Sequence, residues 1–475
     1  MAVEFWVNDE LVVTEVSEGK LLLDFLRKDL AKTGTKEGCK EGDCGACSVM
    51  LGELKGSDVD YRVMTSCLIP LGEVHGKHVV TVEGVALSLD QLNPVQAAMV
   101  ERGGSQCGYC TPGFIVSMTW WMLGEAGAPT LDSVKRAVSG NLCRCTGYNS
   151  IKRAGEDLVD HFSGKYKAAW ESPKRLQSLV EAGLLPTYFS EVAARLKAIQ
   201  PQKAVVPHGQ ADFYIGGGTD LYVQRGEEIP QSTVTILNRY PQMRGIEFKD
   251  GYFVLGSLTT FEEFAQHPEL RRVIPSMDEW IWLIASLHLR NRATIAGNIV
   301  NASPIGDMSN LLLALDAELV MVAGDAERIV PLKSFYKGYK VYDKRPHEII
   351  TQIRFPDPDG AVIRFEKVSK RKALDIASVN SGAKLKVENG VVVEASLSAG
   401  GVAAYPLWLK DTGEFLRGKA LNLENAAAAL EIAMSEVSPI SDVRGSADYK
   451  RLLTRQFLVA HLDALSDAPL AEELI

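Results

Sequence analysis

The chain has 475 residues, 46% of them hydrophobic and 23% charged, which is too long for one ordinary core and predicts about three globular domains. Its net charge of −9 leaves no basic excess and argues against a nucleic-acid or anionic-membrane role. No run approaches the roughly 20 apolar residues of a membrane span, and the start Met1-Ala-Val-Glu-Phe-Trp6 has no export signal, so a reducing cytoplasm is the expected compartment.

At the N-terminus, residues 3–7 and 11–16 flank an Asn8-Asp9 turn in a hairpin pattern, and residues 21–26 predict a helix over this small sheet. Next comes the first of two cysteine clusters. All eight cysteines lie between Cys39 and Cys145, and residues 146–475 contain none. Disulfides are rare in cytosolic chains, so these cysteines are expected to be metal ligands. Cys39, Cys44 and Cys47 follow a Cys-x₄-Cys-x₂-Cys spacing, with Cys67 following after nineteen intervening residues. This is the plant-type ferredoxin spacing for a [2Fe–2S] cluster. Gly38, Gly42 and Gly45 let the loop turn tightly and aim backbone N–H groups at cluster sulfurs. A zinc site or an unliganded glycine-rich loop is the alternative, although zinc favours paired two-residue spacings.

From residue 93 to 162 the pattern becomes helical. Asn93-Pro94 supplies an N-cap and a first-turn proline, and helices are expected over 112–123, 130–138 and 149–162, a bundle of about four. The second cysteine set sits at the ends of these helices: Gln106-Cys107-Gly-Tyr-Cys110-Thr-Pro-Gly113 and Gly140-Asn-Leu-Cys143-Arg-Cys145-Thr-Gly-Tyr148. Pro112 suits a first helical turn, where the helix dipole favours anionic thiolates. By itself this set fits zinc as well as [2Fe–2S]; beside the first set, iron–sulfur is favoured. A proline-marked linker follows, with Pro173, Pro186, Pro201 and Pro207.

Beyond it, short strands alternate with helices, with hairpin turns expected at Lys249-Asp250-Gly251 and Gly324-Asp325. Tyr214-Ile215-Gly216-Gly217-Gly218-Thr219-Asp220-Leu221 predicts a strand running into three glycines, whose backbone N–H groups suit a diphosphate; an unliganded turn is equally compatible. Arg290-Asn-Arg-Ala-Thr294-Ile295-Ala296-Gly297-Asn298-Ile299 leads into Ser303-Pro-Ile-Gly-Asp307. Residues 384–394 form a hairpin about Asn389-Gly390, and helices near 424–435 and 447–465 close the chain.

The order and spacing of the eight cysteines closely resemble the iron–sulfur domains of the xanthine dehydrogenase and aldehyde oxidase family of molybdenum hydroxylases. The matching stretches are 36–47, 106–113 and 140–148, and the segments 214–221 and 290–299 are similar to the family's FAD domain. The resemblance implies an α+β multidomain chain: a β-grasp, ferredoxin-like [2Fe–2S] domain (1–87), a four-helix [2Fe–2S] domain (88–162), a linker (163–205), an α+β FAD-binding domain (206–358) and a small α+β C-terminal flavoprotein domain (359–475). It implies one cluster on Cys39, Cys44, Cys47 and Cys67 and another on Cys107, Cys110, Cys143 and Cys145, the latter nearer molybdenum.

For the flavin, the resemblance implies that Tyr214 to Leu221 and Thr294 to Asn298 wrap the diphosphate and ribityl chain. Asp307 would hold a sugar hydroxyl, Ile350 would line the flavin or adenine pocket, and Lys367, in Lys367-Val-Ser-Lys-Arg371, would contact the flavin. Tyr339, near the nicotinamide site, and Arg371 are the candidate catalytic residues. One departure is Ile284, where family members place an aromatic ring on the flavin. Ending at Ile475, the chain is expected to lack a molybdenum-binding portion. It is therefore expected to resemble the iron–sulfur/flavin subunit of the two-subunit members of xanthine dehydrogenase type. That expectation brings a large molybdenum-cofactor subunit as partner, in a tetramer of two small and two large chains, and NAD⁺ as acceptor. Related hydroxylases of aldehydes, nicotinate-like rings or aromatic thioesters, and a free-standing NAD(P)H flavoprotein, are the alternatives.

Overall fold

A computed structural model describes residues 2–88, 90–200, 211–467 and 469–474. The described residues form two compact units: one within 2–200, 211–239 and 286–292, the other within 240–285 and 293–474. The boundary expected at 205/206, with Pro201 and Pro207, lies outside the described residues.

The first unit begins with the expected hairpin, in which Val3–Val7 pairs with Glu10–Thr14 and Asn8 adopts a positive φ of 55° at the turn. Alternation puts Val3, Phe5 and Val7 inward. These strands join a five-stranded mixed sheet, in which Val3–Val7 runs parallel to His78–Val80, and His78–Val80 pairs with the Ser48–Lys55/Asp58–Thr65 hairpin. The segment over the sheet is helical but widens after Leu22–Asp24 into a π-turn at Phe25–Asp29.

Four helices follow, at Pro94–Glu101, Thr111–Gly124, Leu131–Ala137 and Asn149–Ser163. Asn93 and Gln96 form a reciprocal capping box that starts the first of them. Of residues 163–205, expected as a linker, the described part up to 200 carries short helices at Lys167–Trp170, Arg175–Glu181 and Val192–Ala198. Prolines keep these helices short, yet Trp170, Leu179 and Phe189 are buried with Trp121 and Phe162 in the bundle core. Apolar burial, not chain connectivity, decides the structure here.

The second unit holds two larger antiparallel sheets and a short hairpin of Tyr336–Gly338 with Val341–Tyr342. In the first, the strand order is Ala326–Pro331, Glu318–Ala323, Ile349–Pro356, Tyr252–Gly256 and Ile246–Lys249, with the expected turns at both hairpins. The second has four strands, Val362–Val368, Val379–Glu388, Val391–Gly400 and Leu407–Trp408, and the Asn389-Gly390 turn joins its middle pair. Helices Leu423–Glu436 and Ala447–Asp463 bury their apolar faces with this sheet. Among the described residues no helix is long and apolar enough to cross a membrane.

Among the described residues three histidines are fully buried: His78 and His288 in the first unit and His461 in the second. Burial lowers the pKa of His78 to about 4 and those of His288 and His461 to about 3. Each ring stays neutral in the folded protein, whereas in the unfolded chain it takes a proton near pH 6.5. Stability is therefore fully present above about pH 6.5 and falls as pH drops towards 4, with a slope of up to about 1.4 kcal/mol per pH unit for each histidine. Urea midpoints should be lower at pH 5 than at pH 7.5, and His461→Gln should shrink that difference.

Candidate iron–sulfur and flavin sites

The loop bearing Cys39, Cys44 and Cys47 leads into the strand Ser48–Lys55, and Cys67 follows the partner strand Asp58–Thr65. Strand pairing thus brings Cys67 beside Cys47, across the nineteen intervening residues. The backbone N–H of Cys39 donates to Cys44 Sγ at 3.4 Å, and that of Glu41 donates to Cys39 Sγ at 3.3 Å. Gly42 and Gly45 take positive φ values of 82° and 65°, and a Cβ on Gly38 would lie 2.6 Å from Cys44 Sγ. The sulfurs therefore sit in a cradle that only glycine leaves open.

The thiols come in hydrogen-bonded pairs, Cys39 with Cys44 and Cys47 with Cys67, and the charge of Cys39 reaches both members of the second pair. The bond with Cys44 pulls Cys39 down to about 5 while raising Cys44. Cys67 likewise lowers Cys47 and is itself raised.

The second set repeats the arrangement. Cys110 immediately precedes the helix Thr111–Gly124, and Cys143 and Cys145 precede Asn149–Ser163. Cys110 pairs with Cys143 and Cys107 with Cys145. Burial, then the bond with Cys143, pushes Cys110 up to about 12. Against the opposing effect of burial, hydrogen bonds from the hydroxyl and N–H of Thr146 hold Cys143 below its ordinary value.

Among the described residues no three His, Cys, Asp or Glu side chains converge as ligands of a single metal ion. Two pairs of thiols per site are instead what a two-iron cluster takes, and all eight cysteines are free. The donor sets fit such clusters. Their exposure differs: Cys47 and Cys67 are buried, whereas Cys107 and Cys145 are exposed.

The two thiol loops touch each other. Leu142 N–H donates to the carbonyl of Cys44 at 3.0 Å, Asn141 Nδ2 donates to the carbonyl of Gly45 at 3.0 Å, and the Tyr109 hydroxyl donates to the carbonyl of Glu37. Asn141 was not anticipated; the Gly-Asn-Leu-Cys stretch that contains it was read only for its cysteine. The segment 286–292 also packs into this unit. Asn291 donates to the carbonyl of Val63, and Arg292 donates to the carbonyl of Leu68 and pairs with Glu73 at 2.8 Å, with both side chains at most 5% exposed.

The residues expected around a flavin fall in both units. In the first, Phe213–Ile215 runs parallel to Val234–Ile236, and residues 216–220 turn into the helix Leu221–Arg225, with Gly217 buried and Gly218 at φ 71°. In the second, Thr294 caps the helix Ile295–Asn301 by accepting from Gly297 N–H, and Asn298 Oδ1 accepts from the N–H and hydroxyl of Ser309. Asp307 opens the helix Asp307–Ala314, and its carboxylate accepts from Lys367 Nζ at 2.7 Å and from Asn380 Nδ2 at 2.6 Å. The structure therefore brings Asp307 and Lys367 together. Asn380, inside a strand with no local signal, was missed. Ile350 and Ile284 lie in the core of this unit. Tyr339 is 66% exposed at the tip of a hairpin whose Lys340 holds Asn301 at 2.8 Å. Arg371 is exposed and paired with Asp375 at 3.3 Å.

Four family models match in chain order: a 2Fe-2S iron–sulfur cluster binding domain over 5–71, a [2Fe-2S] binding domain over 81–156, the FAD binding domain in molybdopterin dehydrogenase over 186–358, and the CO dehydrogenase flavoprotein C-terminal domain over 364–465. Together with the paired thiols they define an iron–sulfur flavoprotein region built for electron transfer.

Xanthine dehydrogenase of Blastobotrys adeninivorans is 27% identical over 95% of this chain and 40% of its own length. Aldehyde oxidase 1 of Oryctolagus cuniculus is 29% identical over 96% of the chain and 39% of its own. CO dehydrogenase from Oligotropha carboxidovorans superposes with a TM-score of 0.49 at 27% identity, covering 52% of this chain and 88% of that one. The chain thus spans about 40% of the length of the curated relatives it matches. The chain is similar to the iron–sulfur and flavin region of xanthine dehydrogenases and aldehyde oxidases.

A Cβ on Gly113 would lie 2.2 Å from the carbonyl oxygen of Gly45, so Gly113→Ala must push the two thiol loops apart. The expected cost is about 1–3 kcal/mol, as for other overpacked sites. It should appear as a lower urea midpoint together with a reduced iron-to-protein ratio.

Proposed function

We propose that this chain relays electrons from a molybdenum centre, held by a partner subunit, through two [2Fe–2S] clusters to FAD and on to NAD⁺, in the oxidation of hypoxanthine and xanthine to urate. The observation that carries this reading is the pair of four-thiol sets, joined by the Leu142–Cys44 and Asn141–Gly45 hydrogen bonds. Cys107, Cys110, Cys143 and Cys145 would hold the cluster nearer the partner, and the exposure of Cys107 and Cys145 supports that order. Cys39, Cys44, Cys47 and Cys67 would hold the inner one. FAD, when bound, would collect electrons one at a time and release them as a hydride.

Around it, Tyr214 to Leu221 and Thr294 to Asn298 would meet the diphosphate and ribityl chain, with Asp307 on a sugar hydroxyl and Ile350 lining the pocket. Lys367, whose ammonium pairs with Asp307, would contact the flavin, and its closeness to Asp307 supports that reading. Tyr339 and Arg371, both exposed, are proposed for the nicotinamide side. Eight free thiols suit a reducing cytoplasm. Because aldehyde oxidase 1 is as similar as the xanthine dehydrogenases, an aldehyde is the second substrate class to test.

The flavin placement predicts that Gly218→Val, a β-branched residue at φ 71° with its Cβ 3.0 Å from the Tyr222 ring, loses most of its FAD but keeps its iron. Full flavin occupancy would show that the diphosphate loop lies elsewhere. The relay predicts that Cys107→Ser, assembled with the molybdenum subunit, loses more than tenfold of its purine-dependent NAD⁺ reduction while NADH-driven dye reduction stays near wild type. Purine turnover that survives the substitution would refute the order of the clusters.

A further inference from the structure

The side chain of Leu289 lies against Gly42, in the middle of the Cys39–Cys47 loop. A Cβ added to Gly42 would meet Leu289 Cδ2 at 2.6 Å and Leu68 Cδ1 at 2.8 Å. Leu289 packs, half-buried, on the apolar cluster that contains Cys47, Cys67, Leu68, Leu21 and Leu23. Its position is fixed from both sides along the chain. Leu287 is buried in the helical bundle core, His288 Nε2 bonds Ser117 Oγ at 2.9 Å, and Arg292 is tied to Glu73 and to the carbonyl of Leu68, the residue after Cys67. Anchors at Leu287, His288 and Arg292 therefore hold Leu289 over the thiol loop at the point where glycine leaves that loop bare.

From this geometry we infer that Leu289 is an apolar cover over the Cys39/Cys44/Cys47/Cys67 cluster and sets its reduction potential. The inference rests on the proposed ligation of that cluster. A reduced [2Fe–2S] cluster carries one more negative charge than the oxidised form, so water and nearby dipoles stabilise the reduced form more. Excluding them with Leu289 and Leu68 holds the potential low and favours passage of the electron onward to the flavin. Leu289 neither donates nor accepts the electron; it acts through the polarity of the cluster's surroundings.

The experiment is a redox titration of the full chain followed by electron paramagnetic resonance, with the two cluster signals assigned by Cys47→Ser. Leu289→Ala and Leu289→Asn should raise the potential of the Cys39/Cys44/Cys47/Cys67 cluster by about tenfold in its one-electron equilibrium, which corresponds to about 59 mV. Leu289→Met should restore the wild-type value, and the signal of the other cluster should not move. If Leu289→Ala loses its cluster, Leu289→Val should still shift the same signal upward by a smaller amount. An unmoved potential in iron-replete variants, or an equal shift of both clusters, overturns the inference while leaving the ligation intact. Iron-free wild-type protein overturns the ligation and the inference together.

Discussion

Glycine at 45 and 113 lets three backbone segments, around 45, 113 and 140, meet where a side chain at either position would collide. The position of all eight cysteines follows from that contact. A Cβ at Gly45 would strike the carbonyl of Gly140 at 2.4 Å, and one at Gly113 would strike the carbonyl of Gly45 at 2.2 Å. Close approach of this kind leaves buried carbonyls that must find donors. Asn141 supplies one from its side chain and Leu142 another from its backbone. The β-grasp loop and the helix ends are thereby locked in register, and with them the two sets of sulfurs.

A second device reinforces the first. Residues 286–292 are contiguous in sequence with the second unit on both sides, yet they pack inside the first. The Arg292–Glu73 pair is nearly dry, so its desolvation cost offsets much of its Coulomb gain. Its contribution is positional: a guanidinium that also bonds the carbonyl of Leu68 accepts one register of this segment and rejects its neighbours. The Lys367–Asp307–Asn380 group plays the same part within the second unit, tying a helix start to two adjacent strands.

What could be read from the sequence was whatever local chemistry enforces. Cysteine spacing, the Asn93-Pro94 helix start and the Asn389-Gly390 turn each carry their constraint within a few residues, and the helix start and the turn appear where they were expected. Residues 163–205 carried prolines, which mark breaks, and so suggested a linker. Their helices form because Trp170 and Phe189 find a distant core, which no local signal announces. Asn141 and Asn380 were missed for the same reason. Each is an ordinary polar residue whose partner lies far along the chain, Gly45 for the one and Asp307 for the other. The pairing of thiols within each set also depends on strand register, which brings Cys67 to Cys47.

The unequal burial of the two thiol sets has a consequence for biogenesis. Cys47 and Cys67 are sealed beneath Leu21, Leu23 and Leu68, so iron and sulfide destined for them have to arrive before the β-grasp closes, or through a partial opening of it. Cys107 and Cys145 stay open to solvent in the finished fold, where a delivery protein can reach them late and where an oxidant can reach them too. On the proposed ligation, maturation of this chain is ordered from the inside outward, and damage proceeds from the outside inward.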